Sequence, residues 1–261
     1  KKNYSYGKKF WDDEYRLNAL IAKYPKPYIA FMQGFTMGGG VGISCHGSHR
    51  IVCETSKIAM PECSIGLVPD VGGSLLLARA PSNLGYYLGI TGMQMDAADA
   101  IYAGFADCYI PKNEWSYVIE NLEKSGDSSI IHKYLKDPGE SQLSKSAKFF
   151  EAAFKSKKLS KIVKFLFKSE NPLAHLASQK IKKNCPIAMT YTLEMLSRLT
   201  PTSKIEDALD LEYRFTSRAQ EYGSFQEGIR AVIIDKDRKP KWKFKIDGVP
   251  KEIIDEFFKP V

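Results

Sequence analysis

KPYIAFMQGFTMGGGVGISCHGSHRIVCETSKIAMPECSIGLVPDVGG, residues 26–73, sets short apolar runs between turns and carries a glycine triplet at Gly38–Gly40. Three glycines in a row are costly in a regular element, because glycine loses the most backbone freedom on ordering. Bare chain at this point suits a phosphate loop, a tight turn, or a surface on which a flat ligand lies.

The flanking pattern predicts a strand over 28–33, then a short helix opened by the glycines and running through Val41, Ile43 and Ser44. SHRIVCET and SKIAMPE read as two more strands, the second ending at Pro61. SIGLVPDVGG reads as a loop feeding a helix over SLLLARA. NLGYYLGITG and MDAADAIYAG read as helical, with Gly104 at the C-cap. FADCYIP is a short strand candidate, and NEWSYVIENLEKSG a helix with Asn113 as its cap. Upstream, residues 10–24 predict an amphipathic helix with Leu17, Leu20 and Ile21 on one face, closed by Pro25 and Pro27. Helical spacing then dominates over 146–166, 172–183, 186–199 and 203–222. The expected organisation is an α/β part over 1–125 and a mainly helical part over 126–261. Its first clear strand has no earlier partner, which implies a small sheet or a protein that begins before residue 1.

The chain has 261 residues, of which 44% are hydrophobic, enough for a substantial core. No run of 18 apolar residues is present, so no membrane partner is expected. KKNYSYGKKFWDDE leads into no apolar stretch of the secretory kind. Five cysteines without a CxxC pair fit reduced thiols in a cytoplasm or an organelle interior. The four histidines lack metal-ligand spacing. Net charge is +8, and residues 141–183 hold eleven lysines against two glutamates. With no arginine or aromatic repeat among them, these lysines read as a solvated surface and not as a nucleic-acid site.

The glycines do not make a nucleotide loop. Gly34, Gly38, Gly39, Gly40 and Gly42 miss the G-x-G-x-x-G spacing, and no GK[ST] follows. A strand-to-helix junction does expose backbone N–H groups, which can hold a developing oxyanion. Two carboxylates follow, Glu62 after Met60-Pro61 and Asp70 after Pro69. Beside Ile58, Ile65, Leu67 and Val68 either can be shifted toward acid–base work. Their plain alternatives are a turn hydrogen bond for Glu62 and a helix cap for Asp70. Ser44, Cys45 and His46 are adjacent, point apart on a helix and make no triad. Glu14 reads as an exposed charge on the first helix.

These residues, with LGYYLGITG, AGFAD and the C-terminal FQEGIRAVIIDKDRKPKW, resemble the crotonase superfamily of enoyl-CoA hydratases and isomerases. The last motif resembles its branch of 3-hydroxyisobutyryl-CoA hydrolases. The resemblance implies a crotonase-like spiral α/β fold of ββα units with a helical C-terminal part. It implies an acyl-CoA substrate, hydrolysis of a 3-hydroxyacyl-CoA thioester, and no metal or redox cofactor, CoA being part of the substrate. By motif, Gly39 supplies one oxyanion amide beside Gly38, and Glu62 is the main catalytic carboxylate. Asp70 acts near the substrate hydroxyl or the reacting group, and Glu14 contacts substrate. Hydratases carry a glutamate where this chain has Gly42, which favours hydrolysis or isomerisation over hydration; the alternatives are an enoyl-CoA isomerase or hydratase, or a non-catalytic crotonase-fold subunit of a larger assembly. Family members also carry strands ahead of this region that supply a second amide and much of the CoA site. A missing N-terminal segment or companion chain is therefore expected. Assembly into homo-oligomers is compatible with the family. So is a bacterial cytoplasm or, in a eukaryote, a mitochondrial matrix.

Overall fold

The computed structural model describes residues 4–222 and 224–261. Helix α1 (Ser5–Ala22) leads into two short strands, β1 (Ile29–Met32) and β2 (Phe35–Met37), and then α2 (Gly39–Ser44). The unit repeats as β3 (His49–Val52), β4 (Lys57–Ala59), a 3-10 turn over Glu62–Ile65, and α3 (Gly73–Arg79). A third turn gives α4 (Leu84–Thr91), α5 (Ala97–Tyr102) and β5 (Cys108–Tyr109). Strands of successive turns stack in parallel, β1 on β3 on β5 and β2 on β4, with Ile29 opposite His49 and Phe35 opposite Lys57. This is the crotonase-like spiral of ββα units. Strands of two to four residues are enough because each is paired by the next turn and not by a hairpin.

Helix α6 (Trp115–Ser125) covers a small cluster of Ile51, Cys53, Ile110, Val118 and Ile131. The rest is helical: α7 (Gln142–Lys145), α8 (Ala147–Ala153), α9 (Leu159–Lys168), α10 (Pro172–Ile181), α11 (Pro186–Arg198), α12 (Ile205–Tyr222), α13 (Ser224–Ile229) and α14 (Lys251–Phe258). One apolar core joins spiral residues such as Ile58, Leu77 and Tyr87 to Phe150, Met189 and Phe215 of these helices. Among the described residues, no helix is long and apolar enough to cross a membrane.

Three local expectations are corrected. Helix α1 starts five residues before Phe10, and its buried face is Trp11, Tyr15, Asn18 and Ile21; Leu17 and Leu20 are 46% and 58% exposed. Trp11 and Tyr15, and not the leucines, mark the inward phase, and Tyr6 and Phe10 of the same helix stay exposed. Asn113 caps nothing: it lies within a 3-10 turn, Lys112–Glu114, and α6 begins after Glu114. Strand β2 hides inside the glycine segment, where three residues are too short to show periodicity.

Candidate active site

Gly38 stands at φ +52°, ψ −124°, a backbone state that a side chain would strain, and it turns β2 into α2. Gly39 is the first residue of that helix, so its N–H has no intrahelical acceptor and points outward from the helix start. Carboxylates flank the turn on both sides. A methyl group added to Gly38 would lie 3.4 Å from Glu62 Oε1, and one on Gly39 would lie 3.1 Å from Glu14 Oε1. Glu14 is thus not the exposed charge its place on α1 suggests. It is half-buried, and that burial raises its pKa above the usual carboxylate value.

Glu62 opens the 3-10 turn after β4 and is 5% exposed. Its Oε2 is buried with no hydrogen-bond partner among the described residues. Burial first, then the neighbouring Asp70 charge, hold its pKa well above the ordinary value. Asp70 is equally buried but caps no helix: the N-cap of α3 is Gly72, in a left-handed conformation. The Asp70 side chain instead accepts a 2.9 Å hydrogen bond from the Tyr15 hydroxyl of α1. Burial and then the charge of Glu212 push its pKa up, while the Tyr15 bond opposes that shift. The structure therefore gathers Glu14, Gly38, Gly39 and Glu62 around one turn, with Asp70 within electrostatic reach of Glu62.

Three participants lie outside the sequence expectations. Glu212 of α12 is fully buried and accepts from Gly72 N at 2.8 Å, from Ser74 N at 3.1 Å, and from the Ser74 hydroxyl. Tyr15 lies 3.3 Å, hydroxyl to Oγ1, from Thr216 on the same helix. Asn18 fills the space beside Gly42: a Cβ there would meet Asn18 Nδ2 at 2.6 Å and Val71 Cβ at 2.8 Å. No side chain fits at residue 42 in this packing. The signal for Glu212 is in the sequence, since it falls at core phase between Leu209 and Phe215, where an unpaired acid is anomalous.

Burial raises Glu212 from 4.5 to about 7 against its three donors. The folded protein then keeps a proton that the unfolded chain has released. The contribution of this group to stability is full below about pH 4.5 and is lost as pH rises to about 7, by about 3 kcal/mol. Urea unfolding at pH 5 and pH 7.5 is expected to show that loss, with a shallower slope in Glu212→Gln.

Two cavities lie nearby. One of about 390 Å³ opens beside Glu14 between Tyr6, Phe10 and Leu17. Another, of about 400 Å³, lies between Lys23, His46, Arg50 and Arg79 and touches none of the candidate residues.

The site turn is braced from the C-terminal motif. Gly228 of α13 packs so closely that a Cβ on it would lie 2.0 Å from the Ile65 carbonyl oxygen, and Gly66 faces the Ser224 carbonyl in the same way. Arg230, just beyond, binds Glu227, Asp235 and Asp237 and ties the following loop to the same helix.

Comparison with known proteins agrees with this fold. The family profile described as Enoyl-CoA hydratase/isomerase matches residues 1–258. The mitochondrial 3-hydroxyisobutyryl-CoA hydrolase of Mus musculus is 36% identical over 260 residues, covering 95% of this chain and 67% of its own. The human enzyme of that name is 33% identical over 266 residues, covering 96% of this chain and 68% of its own. The chain thus spans about two thirds of these relatives. A crystal structure from Rhodobacter sphaeroides described as an enoyl-CoA hydratase superposes with a TM-score of 0.94 at 48% identity, covering 99% of this chain and 75% of that one. A carnitinyl-CoA dehydratase from Mycobacterium thermoresistibile gives 0.92 at 37%, covering 97% and 74%. The resemblance read from the glycine, MPE and PDVGG motifs is borne out: the chain belongs to the enoyl-CoA hydratase/isomerase (crotonase) family, whose chemistry is on acyl-CoA thioesters, and is related at moderate identity to 3-hydroxyisobutyryl-CoA hydrolases.

Proposed function

We propose that this chain carries the reacting carboxylates of a 3-hydroxyacyl-CoA thioester hydrolase, with 3-hydroxyisobutyryl-CoA as the favoured substrate. The observation that carries the reading is the pairing of a buried Glu62 oxygen, unpartnered among the described residues, with a glycine turn that has no room for a second carboxylate at residue 42. Hydration needs two carboxylates about one water. Thioester hydrolysis needs one nucleophile or base and an oxyanion donor.

In this reading the thioester carbonyl lies against Gly38 and its oxygen points at the Gly39 N–H. Glu62 either adds to the carbonyl carbon or takes a proton from a water that does so. Charge collects on the carbonyl oxygen, the C–S bond breaks, and the CoA thiolate leaves and takes up a proton. In the first route water then cleaves the Glu62 anhydride. Asp70, held by Tyr15, binds the 3-hydroxyl or assists the leaving side, and Glu14 contacts the acyl group from the far side of the turn. The helical part over 126–261 serves in this scheme as the brace for a reacting part over 1–125. The second amide and much of the CoA contact would come from sequence that the longer relatives carry. The expected compartment is the mitochondrial matrix in a eukaryote, in keeping with the names of those relatives, and the cytoplasm in a bacterium.

A second reading, enoyl-CoA hydration, is favoured by the 48% identical structure described as a hydratase. The two are separated by assaying the protein as its natural gene encodes it. Free CoA thiol released from 3-hydroxyisobutyryl-CoA, with crotonyl-CoA untouched, is expected. Loss of crotonyl-CoA absorbance with no thiol released overturns hydrolysis in favour of hydration.

A further inference from the structure

We propose that Glu212 is a positioning residue for the Asp70–Glu62 pair, holding from α12 the Gly72–Ser74 turn that carries Asp70. The inference rests on the reading of Glu62 and Asp70 as the reacting groups, and deepens it.

The geometry is unusual for a helix cap. Caps are short local side chains a few residues from the N–H groups they satisfy. Here the acceptor comes from 140 residues away and takes both Gly72 N and Ser74 N on separate oxygens, with the Ser74 hydroxyl as a third donor. Gly73 N meanwhile donates to the Asp70 carbonyl at 2.7 Å, so the turn held by Glu212 is the one that fixes the Asp70 backbone. One helical turn further on, Thr216 lies beside Tyr15, whose hydroxyl donates to Asp70 Oδ2. A single helix thus backs Asp70 twice, once through its main chain and once through its side chain.

A buried acid is a costly way to hold a turn. Every hydrogen bond on Glu212 could be made without placing another negative group behind two carboxyls. The charged and titratable groups facing it are Asp70, Glu62 and Tyr15, each of which feels its charge. No cation donates to Glu212 among the described residues; its donors are the two amides and the Ser74 hydroxyl. Ionised, as it is above about pH 7, Glu212 makes its neighbours hold their protons more tightly there. Its removal is therefore read in the pH profile, where a purely structural clasp would leave no trace.

The test compares Glu212→Gln, Glu212→Asp and Ser74→Ala with the wild type in kcat, KM and pH dependence. Gln keeps the length, loses the charge and turns an amide toward an N–H. The acid limb of kcat is expected to move down by about half a pH unit or more, with kcat lowered at least tenfold and KM changed less. Asp keeps the charge but not the reach, so kcat falls while the limb stays at its wild-type place. Ser74→Ala removes only the hydroxyl donor and guards against misfolding of the Gln variant. It is expected to fold and to lower kcat severalfold at unchanged KM. An unmoved limb in Glu212→Gln, or wild-type kcat in Ser74→Ala, overturns the proposal. Infrared carboxyl difference titration of wild type and Glu212→Gln follows the Asp70–Glu62 protons without turnover. A shifted titration in a protein that releases no CoA supports the role of Glu212 and counts only against the hydrolase reading. An unshifted titration counts only against Glu212.

Discussion

Glu62→Gln is expected to lower thioester hydrolysis by about 10²–10⁴-fold with KM changed little, the loss typical of removing a reacting acid–base group. The amide is nearly the same size as the carboxyl and fits the same pocket against Gly38, so the fold is retained. It can neither attack the carbonyl nor take a proton. A carboxylate with one buried oxygen left without a partner is costly to maintain. Replacing it by a neutral group is therefore expected to raise the melting temperature while activity collapses. Thermal melts and CoA-release kinetics on the same preparation check both halves. Hydrolysis at the wild-type rate in this variant would remove Glu62 from the mechanism.

Gly228→Ala is expected to match that loss from a residue that touches no substrate. The added methyl would fall 2.0 Å from the Ile65 carbonyl oxygen, a backbone atom with no rotamer to retreat to. Either α13 lifts or the Glu62–Ile65 turn moves. Overpacking of this kind costs about 3 kcal/mol, which for a chain of this size lowers the melting temperature by roughly 6–12 °C. A displacement of about 1 Å at Glu62 costs about 10²-fold in rate. Gly248→Ala is the control, since its nearest neighbour would lie at 3.7 Å. It is expected to stay within about 0.5 kcal/mol of wild type. A Gly228→Ala protein with normal kcat would show that the clamp is packing alone.

The spiral was legible because its signal is local. IAFM, HRIV and KIA are short runs with apolar residues, glycines follow the first and prolines and glycines the last, and the same order occurs twice within residues 26–73. Glu62 and Asp70 stood out for the same reason, as acids in otherwise apolar loops. Their supports did not. Tyr15 and Asn18 lie on a helix whose phase was read from leucines, and the ring of Trp11 and not the side chain of Leu17 decided which face turned inward. Asp70 looked like a cap because proline–aspartate before a helix usually is one. Only the fold brings the Tyr15 hydroxyl within bonding distance. Gly42 was noticed as a missing glutamate, but its cause, the amide of Asn18 lying 24 residues upstream in sequence, is a contact that spacing does not encode.

The two ends of the α12–α13 segment reach the segments that carry Asp70 and Glu62 separately, α12 through the Gly72 turn and α13 through Ile65 and Gly66. This has a consequence for synthesis. A ribosome delivers Glu62 and Asp70 early, with the strands that carry them, but the parts that aim them emerge more than a hundred residues later. A nascent chain released before α12 holds both acids, unaimed and without their apolar cover. A stop before the end of α13 thus removes both braces while leaving the two acids in the chain, and the proposed site is complete only once α13 has been made.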